Sequence, residues 1–501
     1  MTNHISLRSL YKDLKSRIDE LGKNPEPVVR SRQVVQRAIE DGKAYYGINT
    51  GFGILAQKRI NSDELGQLQR NLILSHAVGV GDFVSKEISR LMLKLKIHAL
   101  GLGFSGISVE TFEQLITLAQ HDLVPAIPKR GSVGASGDLA PLAHLSLPLL
   151  GLGEVWNEAG TATIPTAEIF TQKKISPIDL QAKDGLSLIN GTQLMSAHGA
   201  YVLERALRLV SMADILAALS LEALQGSVAP YDARVHEIRP HAGQQQVAQN
   251  LRNLLAGSEI LESHRHCGKV QDPYSLRCIP QVHGASRESL AYCQGVVETE
   301  INSVTDNPLV FPNGDIISGG NFHGQPLALV LDQAAIALAE LASISERRIY
   351  LLLEGHDGLP TLLMKETGIN SGFMIPQYTA ASLVSENKVL CHPASVDSIP
   401  TCLGQEDHVS MGSIGAVKLL QVLENVEHIF AIELLTAAQA LDFRHPLRPG
   451  HGVELMHRHI RRQIPHREAD YIFQDELHEA LSIVRSCTVL DLFAEHNIEV
   501  V

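Results

Sequence analysis

The chain has 501 residues, of which 45% are hydrophobic and 19% are charged, a composition typical of a folded protein with a large core. Its formal net charge of −13 argues against nucleic acid or an anionic membrane as a principal partner. The segment from Met1 to Arg8 has neither an apolar core nor a basic leader, so a cytoplasmic protein is expected. The cysteines are scattered without CxxC spacing, which predicts neither a disulfide framework nor a zinc site.

The first 195 residues are predicted to form a mixed region in which short helices alternate with loops rich in glycine and proline. Helices are predicted over 70–80 and 86–102, followed by a loop over 124–131. Alternating apolar residues within 151–177 predict a short hairpin.

Three long stretches without proline dominate the remaining sequence: 196–225, 333–354 and 412–441. In the last stretch, apolar residues recur at steps of three and four, which is the spacing of one helix face. Helices of this length and apolarity bury their surfaces against one another as a bundle. Two regions that pack as one functional unit are therefore expected, 1–195 and 196–501. The segment 444–467 is rich in proline, histidine and arginine and is predicted to be irregular surface structure.

Ala135, Ser136 and Gly137 form a tripeptide within the run Gly131-Ser-Val-Gly-Ala-Ser-Gly-Asp138. The nitrogen of Gly137 could close a ring on the carbonyl carbon of Ala135, because a residue without a Cβ lets the main chain bend tightly. Loss of water from that ring, and then of the Ser136 hydroxyl, would leave a methylene conjugated to a carbonyl. Such a group is an electrophile, which ordinary side chains do not supply and most proteins obtain from a cofactor.

Two other glycine-rich motifs fit this run poorly. The Walker motif ends in Gly-Lys-Ser/Thr, whereas Lys129 precedes the glycines. A nucleophile elbow needs glycine two residues on either side of serine, and Asp138 occupies the second of these positions. Phosphate binding and serine hydrolysis therefore explain the run less well, while a flexible or helix-capping loop stays open as an alternative.

Six further segments concentrate polar residues and glycines beyond what core packing requires: Tyr46-Gly-Ile-Asn-Thr-Gly-Phe-Gly53, Asn71-Leu-Ile-Leu-Ser-His76, Asn190-Gly-Thr-Gln193, Gln271-Asp-Pro-Tyr-Ser-Leu-Arg-Cys278, Ser318-Gly-Gly-Asn-Phe-His-Gly324 and Gln405-Glu-Asp-His408. In this order, together with the Gly-Ala-Ser-Gly-Asp run, they resemble the aromatic amino acid ammonia-lyases, and the histidine ammonia-lyases in particular. The resemblance implies a mainly α fold, with a long central helix bundle of the fumarase/aspartase-like type and a mixed N-terminal region carrying the electrophile-forming loop. It also implies homotetramers whose sites are shared between subunits.

The resemblance assigns the tripeptide to a self-formed prosthetic group. Ala135, Ser136 and Gly137 would become 4-methylideneimidazole-5-one (MIO), with no external cofactor and no metal. Asn190 would hydrogen-bond the carbonyl oxygen of MIO and stabilise negative charge there. Phe322 would pack beside the ring and shield it from water.

The resemblance also supplies a base and a carboxylate-binding group. Tyr46 would remove the β-proton of the substrate, which requires a phenol pKa lowered toward neutrality; a tyrosine that packs the turn is the alternative. Arg277 would bind the substrate carboxylate through its planar guanidinium. Tyr274 would lie near MIO and Gln271 near the substrate.

The substrate is expected to be read by His76, Glu406 and Met374. Ser75-His76 stands where family members acting on phenylalanine or tyrosine tend to carry Phe-Leu or His-Leu, and those members tend to carry glutamine at Glu406. A carboxylate can hydrogen-bond an imidazole, so the expected reaction is deamination of L-histidine to trans-urocanate and ammonia. His283 is a departure, because methionine is usual at that position.

Two alternatives stay open. One is a tyrosine or phenylalanine ammonia-lyase, or an aminomutase of the same family, which Glu406 and the Ser75-His76 pair argue against. The other is an inactive helical scaffold, against which the intact Ser136, Tyr46 and Arg277 argue.

Overall fold

The computed structural model describes residues 4–41, 43–51, 53, 60–266 and 268–500. Within these residues, helices dominate and the strands form three two-stranded antiparallel sheets. The prediction of a mainly α fold is confirmed.

The helices up to residue 263 are α1 (Leu10–Lys23), α2 (Glu26–Glu40), α3 (Leu65–His76), α4 (Lys86–Gly101), α5 (Val109–Gln120), α6 (Leu139–Ser146), α7 (Thr166–Lys173), α8 (Asp184–Ile189), α9 (Gln193–Ala223), α10 (Ala233–Glu237), α11 (Ala242–Leu254) and α12 (Glu259–Ser263). The later helices are α13 (Tyr274–Arg277), α14 (Ile279–Ile301), α15 (Gln325–Leu353), α16 (Met374–Leu390), α17 (Gly412–Asp442), α18 (His451–Arg461), α19 (Phe473–Arg485) and α20 (Thr488–Glu495). The strands are β1 (Val80–Phe83), β2 (Pro128–Arg130), β3 (Glu154–Trp156), β4 (Thr163–Pro165), β5 (Leu309–Val310) and β6 (Ile316–Ile317).

The short elements of the N-terminal region agree largely with the sequence. The helix predicted over 86–102 is α4, which begins where the Ser85 hydroxyl accepts the Ile88 N–H, a common helix cap. The predicted hairpin is β3–β4, in which Val155 pairs with Ile164. The predicted loop 124–131 differs in part, because β2 within it pairs with β1.

The three long apolar stretches form α9, α15 and α17, as predicted. The irregular structure predicted for 444–467 is wrong in part, because α18 occupies its middle. Val453, Met456 and Ile460 of α18 are fully buried, and their spacing places them on one helix face. The basic and histidine residues between them obscured this apolar face in the sequence.

The chain forms two compact units. The first comprises 1–204, 293–332 and 393–418, and the second comprises 205–292, 333–392 and 419–501. In the first unit, α4 packs against α1 and α5 through fully buried side chains such as Ile97 and Leu115. The two-region division at residue 195 stays a prediction.

The second unit contains an apolar helical core with a buried ionic network. The Arg348 guanidinium lies 2.9 Å from a Glu433 carboxylate oxygen, and both side chains are fully buried. The Ser220 hydroxyl donates to the same carboxylate at 2.7 Å. His283 contacts Asp214 at 2.7 Å, so its side chain belongs to this buried network.

Among the described helices, α15 is long and apolar enough to cross a membrane. Within its most apolar window, 67% of the residues are buried inside the protein. The core helix of a soluble protein has the same length and composition, and the burial of α15 agrees with that interpretation.

Candidate active site

A cavity of about 430 Å³ in the first unit brings together residues from five of the sequence motifs. Five of the predicted site residues line it: Tyr46, His76, Ser136, Asn190 and Glu406. The remaining lining residues are Gly51, Gly53, Leu68, Asn71, Leu72, Ser75, Leu139, Leu186, Ile189 and Cys402. The lining thus combines apolar side chains with a small set of polar groups, as ligand sites commonly do.

The tripeptide forms a tight loop that only glycine accommodates at its end. Gly137 has a φ of +77°, and a Cβ built on it would overlap the carbonyl oxygen of Gly191. That carbonyl accepts the Asp138 N–H at 2.7 Å. Ala135 is buried and packs against Val409, whereas Ser136 faces the cavity. The loop therefore presents one hydroxyl to the cavity and holds its neighbours in place.

Asp138 fixes the loop to the first turns of two long helices. Its carboxylate accepts the N–H groups of Leu194 at 2.9 Å and Met195 at 3.1 Å, in the first turn of α9. It also accepts the hydroxyl of Ser413 at 2.8 Å, in the first turn of α17. Burial raises the pKa of Asp138 to about 6, although these hydrogen bonds oppose the shift. Helix N-termini favour a carboxylate at this position.

Glu406 and Ser136 meet across the cavity. The Ser136 hydroxyl donates to Glu406 Oε1 at 3.0 Å, and the Thr401 hydroxyl donates to Glu406 Oε2 at 2.7 Å. The short 3-10 turn Cys402–Gly404 lies between Thr401 and Glu406 and turns the carboxylate inward. One carboxylate oxygen is thus held by the protein, and the other lies beside the tripeptide.

Tyr46 is half-buried in the wall, and its phenol oxygen accepts the Gly53 N–H at 3.3 Å. Burial raises the pKa of Tyr46, and the charge of Glu406 adds to this, although the Gly53 N–H opposes it. The sequence-based expectation of a lowered phenol pKa is therefore not met in this structure. The physical reason is that burial and a nearby carboxylate both disfavour the phenolate.

His76 ends α3, and its Nδ1 lies 3.0 Å from the Ser75 hydroxyl. Burial lowers the pKa of His76, while the backbone carbonyl of Leu72 and the charge of Glu406 oppose the shift. A histidine with a lowered pKa is neutral near pH 7. Its imidazole can then offer either a donor or an acceptor to a ligand.

Asn190 follows α8 directly and lines the cavity beside Ile189. Its backbone N–H donates to the Leu186 carbonyl at 3.0 Å, so the residue caps the C-terminus of that helix. Among the described residues, none provides a hydrogen-bond partner for the buried Asn190 Oδ1. A buried amide oxygen without a donor is costly, so Asn190 Oδ1 can accept an N–H or O–H from a group that enters the cavity.

The other predicted site residues do not line this cavity. Gln271, Tyr274, Arg277 and Met374 belong to the second unit, and Phe322 is half-buried in the first. Gln271 lines a different cavity of about 840 Å³ within the second unit. The Arg277 guanidinium lies 4.8 Å from the centre of the Tyr274 ring, and 71% of Tyr274 is exposed.

The sequence motifs missed the apolar wall and one thiol. Leu186 and Ile189 resemble ordinary core residues, Leu72 lies in the Asn71–His76 motif but has no predicted role, and Cys402 is one of the scattered cysteines. The one sequence feature that could have indicated them is that each lies within four residues of a predicted site residue. Among the described residues, no group of three or more His, Cys, Asp or Glu side chains is arranged to hold a metal ion.

Comparisons with known proteins agree with the fold. A model of the aromatic amino acid lyase family matches residues 12–462. A histidine ammonia-lyase of Anaeromyxobacter dehalogenans is 53% identical over 454 residues, which is 89% of each chain. The crystal structure of histidine ammonia-lyase from Trypanosoma cruzi is similar with a TM-score of 0.86 and 42% identity, covering 94% of this chain and 89% of that one. Tyrosine aminomutase from Streptomyces globisporus gives a TM-score of 0.88 at 34% identity, covering 95% and 94%. The chain belongs to the aromatic amino acid lyase family.

Proposed function

We propose that this protein deaminates L-histidine to trans-urocanate and ammonia, as a carbon–nitrogen lyase of the cytoplasm. The observation that carries the proposal is the Ser136 hydroxyl 3.0 Å from the Glu406 carboxylate, in a cavity that also contains Tyr46 and His76. The relatives that bear the name histidine ammonia-lyase support the same substrate.

The tripeptide loop fits the expected prosthetic group. Ala135, Ser136 and Gly137 would form MIO by losing two water molecules. The positive φ of Gly137 and the lack of space for a Cβ there suit a ring closed through its nitrogen. When formed, MIO supplies the electrophile that eases loss of the amino group. Asn190 would donate its amide N–H to the ring carbonyl, and Phe322 would help to keep water away.

Tyr46 would take the β-proton of the substrate. Its phenol must first lose its own proton, and both burial and the charge of Glu406 oppose that loss. An imidazole that donates a hydrogen bond to Glu406 would reduce the effect of the carboxylate charge on Tyr46. Because that charge raises the pKa of Tyr46, substrate binding would lower this pKa and favour the phenolate.

Glu406 and His76 would select histidine over phenylalanine or tyrosine. Glu406 Oε1 accepts the Ser136 hydroxyl in this structure, and MIO formation would remove that donor. The oxygen would then remain unsatisfied beside a phenyl ring. It can accept the N–H of an imidazole, and a site built to hydrogen-bond a substrate discriminates strongly against analogues that lack the group. The neutral His76 adds a second polar contact on the same wall.

Arg277, with Tyr274 and Gln271 nearby in sequence, would bind the substrate carboxylate. Among the described residues, none satisfies the buried Nε of Arg277, and an arginine fork matches a carboxylate in geometry. The four residues Gln271, Tyr274, Arg277 and Met374 belong to the second unit. Following the family resemblance, we propose that they complete sites shared between subunits of a homotetramer.

The test is incubation of the purified protein with L-histidine, L-tyrosine and L-phenylalanine in parallel, following the ultraviolet absorbance of the unsaturated products. We expect urocanate from histidine and little product from the other two. Preferential turnover of tyrosine or phenylalanine would contradict the substrate, and a β-amino acid product would indicate an aminomutase. No turnover of any of the three would favour the inactive scaffold.

A further inference from the structure

Lys96 of α4 carries an ammonium group that is buried behind the cavity wall. Only 2% of the residue is exposed, and its Nζ donates to the backbone carbonyl of Asn190 at 2.6 Å. Burial lowers the pKa of Lys96 to about 7. Removing an ammonium from water is costly, and its neighbours on α4, from Leu95 to Gly101, are buried as well. An apolar side chain would satisfy packing there, so the amine is expected to serve another purpose.

The carbonyl that Lys96 holds belongs to the segment that supports the tripeptide. The next carbonyl, that of Gly191, accepts the Asp138 N–H at 2.7 Å. Gly137 and Gly191 also pair as a short parallel bridge. Lys96 therefore anchors one peptide group, and the tripeptide loop contacts the next.

The same peptide carries the amide of Asn190 into the cavity. The Asn190 side chain has only two rotatable torsions, so a fixed backbone limits the positions that its amide group can take. Among the described residues, none hydrogen-bonds its Oδ1. The direction of this amide consequently depends on the backbone that Lys96 holds.

We propose that Lys96 is a positioning residue, whose amine holds the Asn190–Gly191 segment against the Ala135–Gly137 loop so that the loop can close its ring and the Asn190 amide faces the cavity. The inference rests on the proposed function and deepens it. The amine retains N–H donors in both of its protonation states, so the contact does not require the charged form.

The experiment compares four single variants of the full-length protein with the wild type. Lys96→Met keeps the length and volume of the side chain but removes the donor, and Lys96→Arg keeps a cationic donor. Lys96→Gln is polar but shorter. Lys94→Met is the matched control, because Lys94 is a half-buried lysine on the same helix. The readouts are intact mass, kcat and KM for L-histidine, and thermal unfolding.

We expect Lys96→Met to fold, to lose the two waters in only part of its chains, and to have a kcat lower by about 10- to 100-fold with a smaller change in KM. Lys96→Arg should recover much of the water loss and much of kcat, and Lys94→Met should match the wild type in both. If Lys96→Met does not fold, Lys96→Gln is expected to show the same losses.

Complete water loss with wild-type kcat in a folded Lys96→Met or Lys96→Gln would overturn the role of Lys96 and leave the proposed function intact. A wild type that does not turn over histidine would instead contradict the proposed function, and this inference with it.

Discussion

The hydroxyl of Ser136 donates to Glu406 Oε1 at 3.0 Å, although the two residues are 270 positions apart in the chain. The tripeptide that can form an electrophile and the carboxylate expected to read the substrate ring therefore share one cavity. A substrate held by Glu406 in this cavity would therefore lie beside position 136. This relationship links the chemistry of the site to its specificity.

Ser136→Ala should fold like the wild type but lose about 10³-fold or more in turnover, since alanine lacks the hydroxyl whose loss as water creates the methylene. Histidine turnover, intact mass and thermal unfolding check this together. Substantial deamination by a variant that retains its full mass would contradict the proposed chemistry.

Glu406→Gln should lower kcat/KM for L-histidine by about 10- to 100-fold, because an amide accepts the imidazole N–H more weakly than a carboxylate. Thermal stability should change little, since the side chain lies at the cavity surface. Asp407→Asn, at the exposed neighbouring position, is the control and should leave kcat/KM unchanged. Equal values of kcat/KM for the two variants would show that Glu406 does not take part in substrate recognition.

The raised pKa of Tyr46 predicts the direction of the pH dependence. A base that acts as phenolate, with a pKa raised above the ordinary value for tyrosine, becomes more available as pH rises toward that pKa. The value of kcat/KM should therefore increase between about pH 7 and 8.5, by as much as about tenfold per unit. Tyr46→Phe should lose nearly all activity at every pH. A profile that is flat or falls with pH in this range would argue against Tyr46 as the base.

Cys402 predicts that thiol reagents act at the cavity. The thiol is exposed and lines the same wall as Tyr46 and Glu406, so alkylation would place a bulky group where the substrate binds. Iodoacetamide should inactivate the wild type, and the product should slow this inactivation. Cys402→Ser should remain active and resist the reagent; if it is inactivated at the wild-type rate, the sensitive thiol lies elsewhere.

Gly137→Ala should destabilise the protein more than Gly314→Ala. Both glycines have a positive φ, but a Cβ on Gly314 would meet no atom within 4 Å, whereas one on Gly137 would overlap Gly191. The backbone cost alone is about 1–2 kcal/mol, and the collision should add about 1–3 kcal/mol. Urea unfolding measures the free energy of unfolding of each variant, and an equal decrease in the two would show that the loop relaxes easily. Gly137→Ala should also keep the mass of its sequence, without losing the two water molecules that MIO formation releases.

The sequence predicted the fold most accurately where apolar periodicity was long and uninterrupted, as in α9, α15 and α17. It missed α14 and α16, whose first turns contain Pro280 and Pro376. Proline is tolerated in a first turn, but in the sequence it resembles a loop. It also misjudged α18, where three buried apolar residues hold a helix among charged neighbours.

Five residues that the motifs assigned to the site line one cavity: Tyr46, His76, Ser136, Asn190 and Glu406. The apolar wall was not predictable, because Leu186 and Ile189 differ from core leucines and isoleucines only in what lies beside them. The pKa of Tyr46 was expected to fall, since the chemistry requires a base, and the structure raises it through burial and Glu406. The apolar wall and the pKa of Tyr46 both depend on which residues come together in the folded chain, and spacing along the sequence does not give that.

The most direct test is the mass of the tryptic or chymotryptic peptide containing Ala135–Gly137, taken from protein that turns over L-histidine. We predict a peptide lighter than its sequence by two water molecules, with the change confined to these three residues. An unmodified peptide from fully active protein would contradict the proposed mechanism.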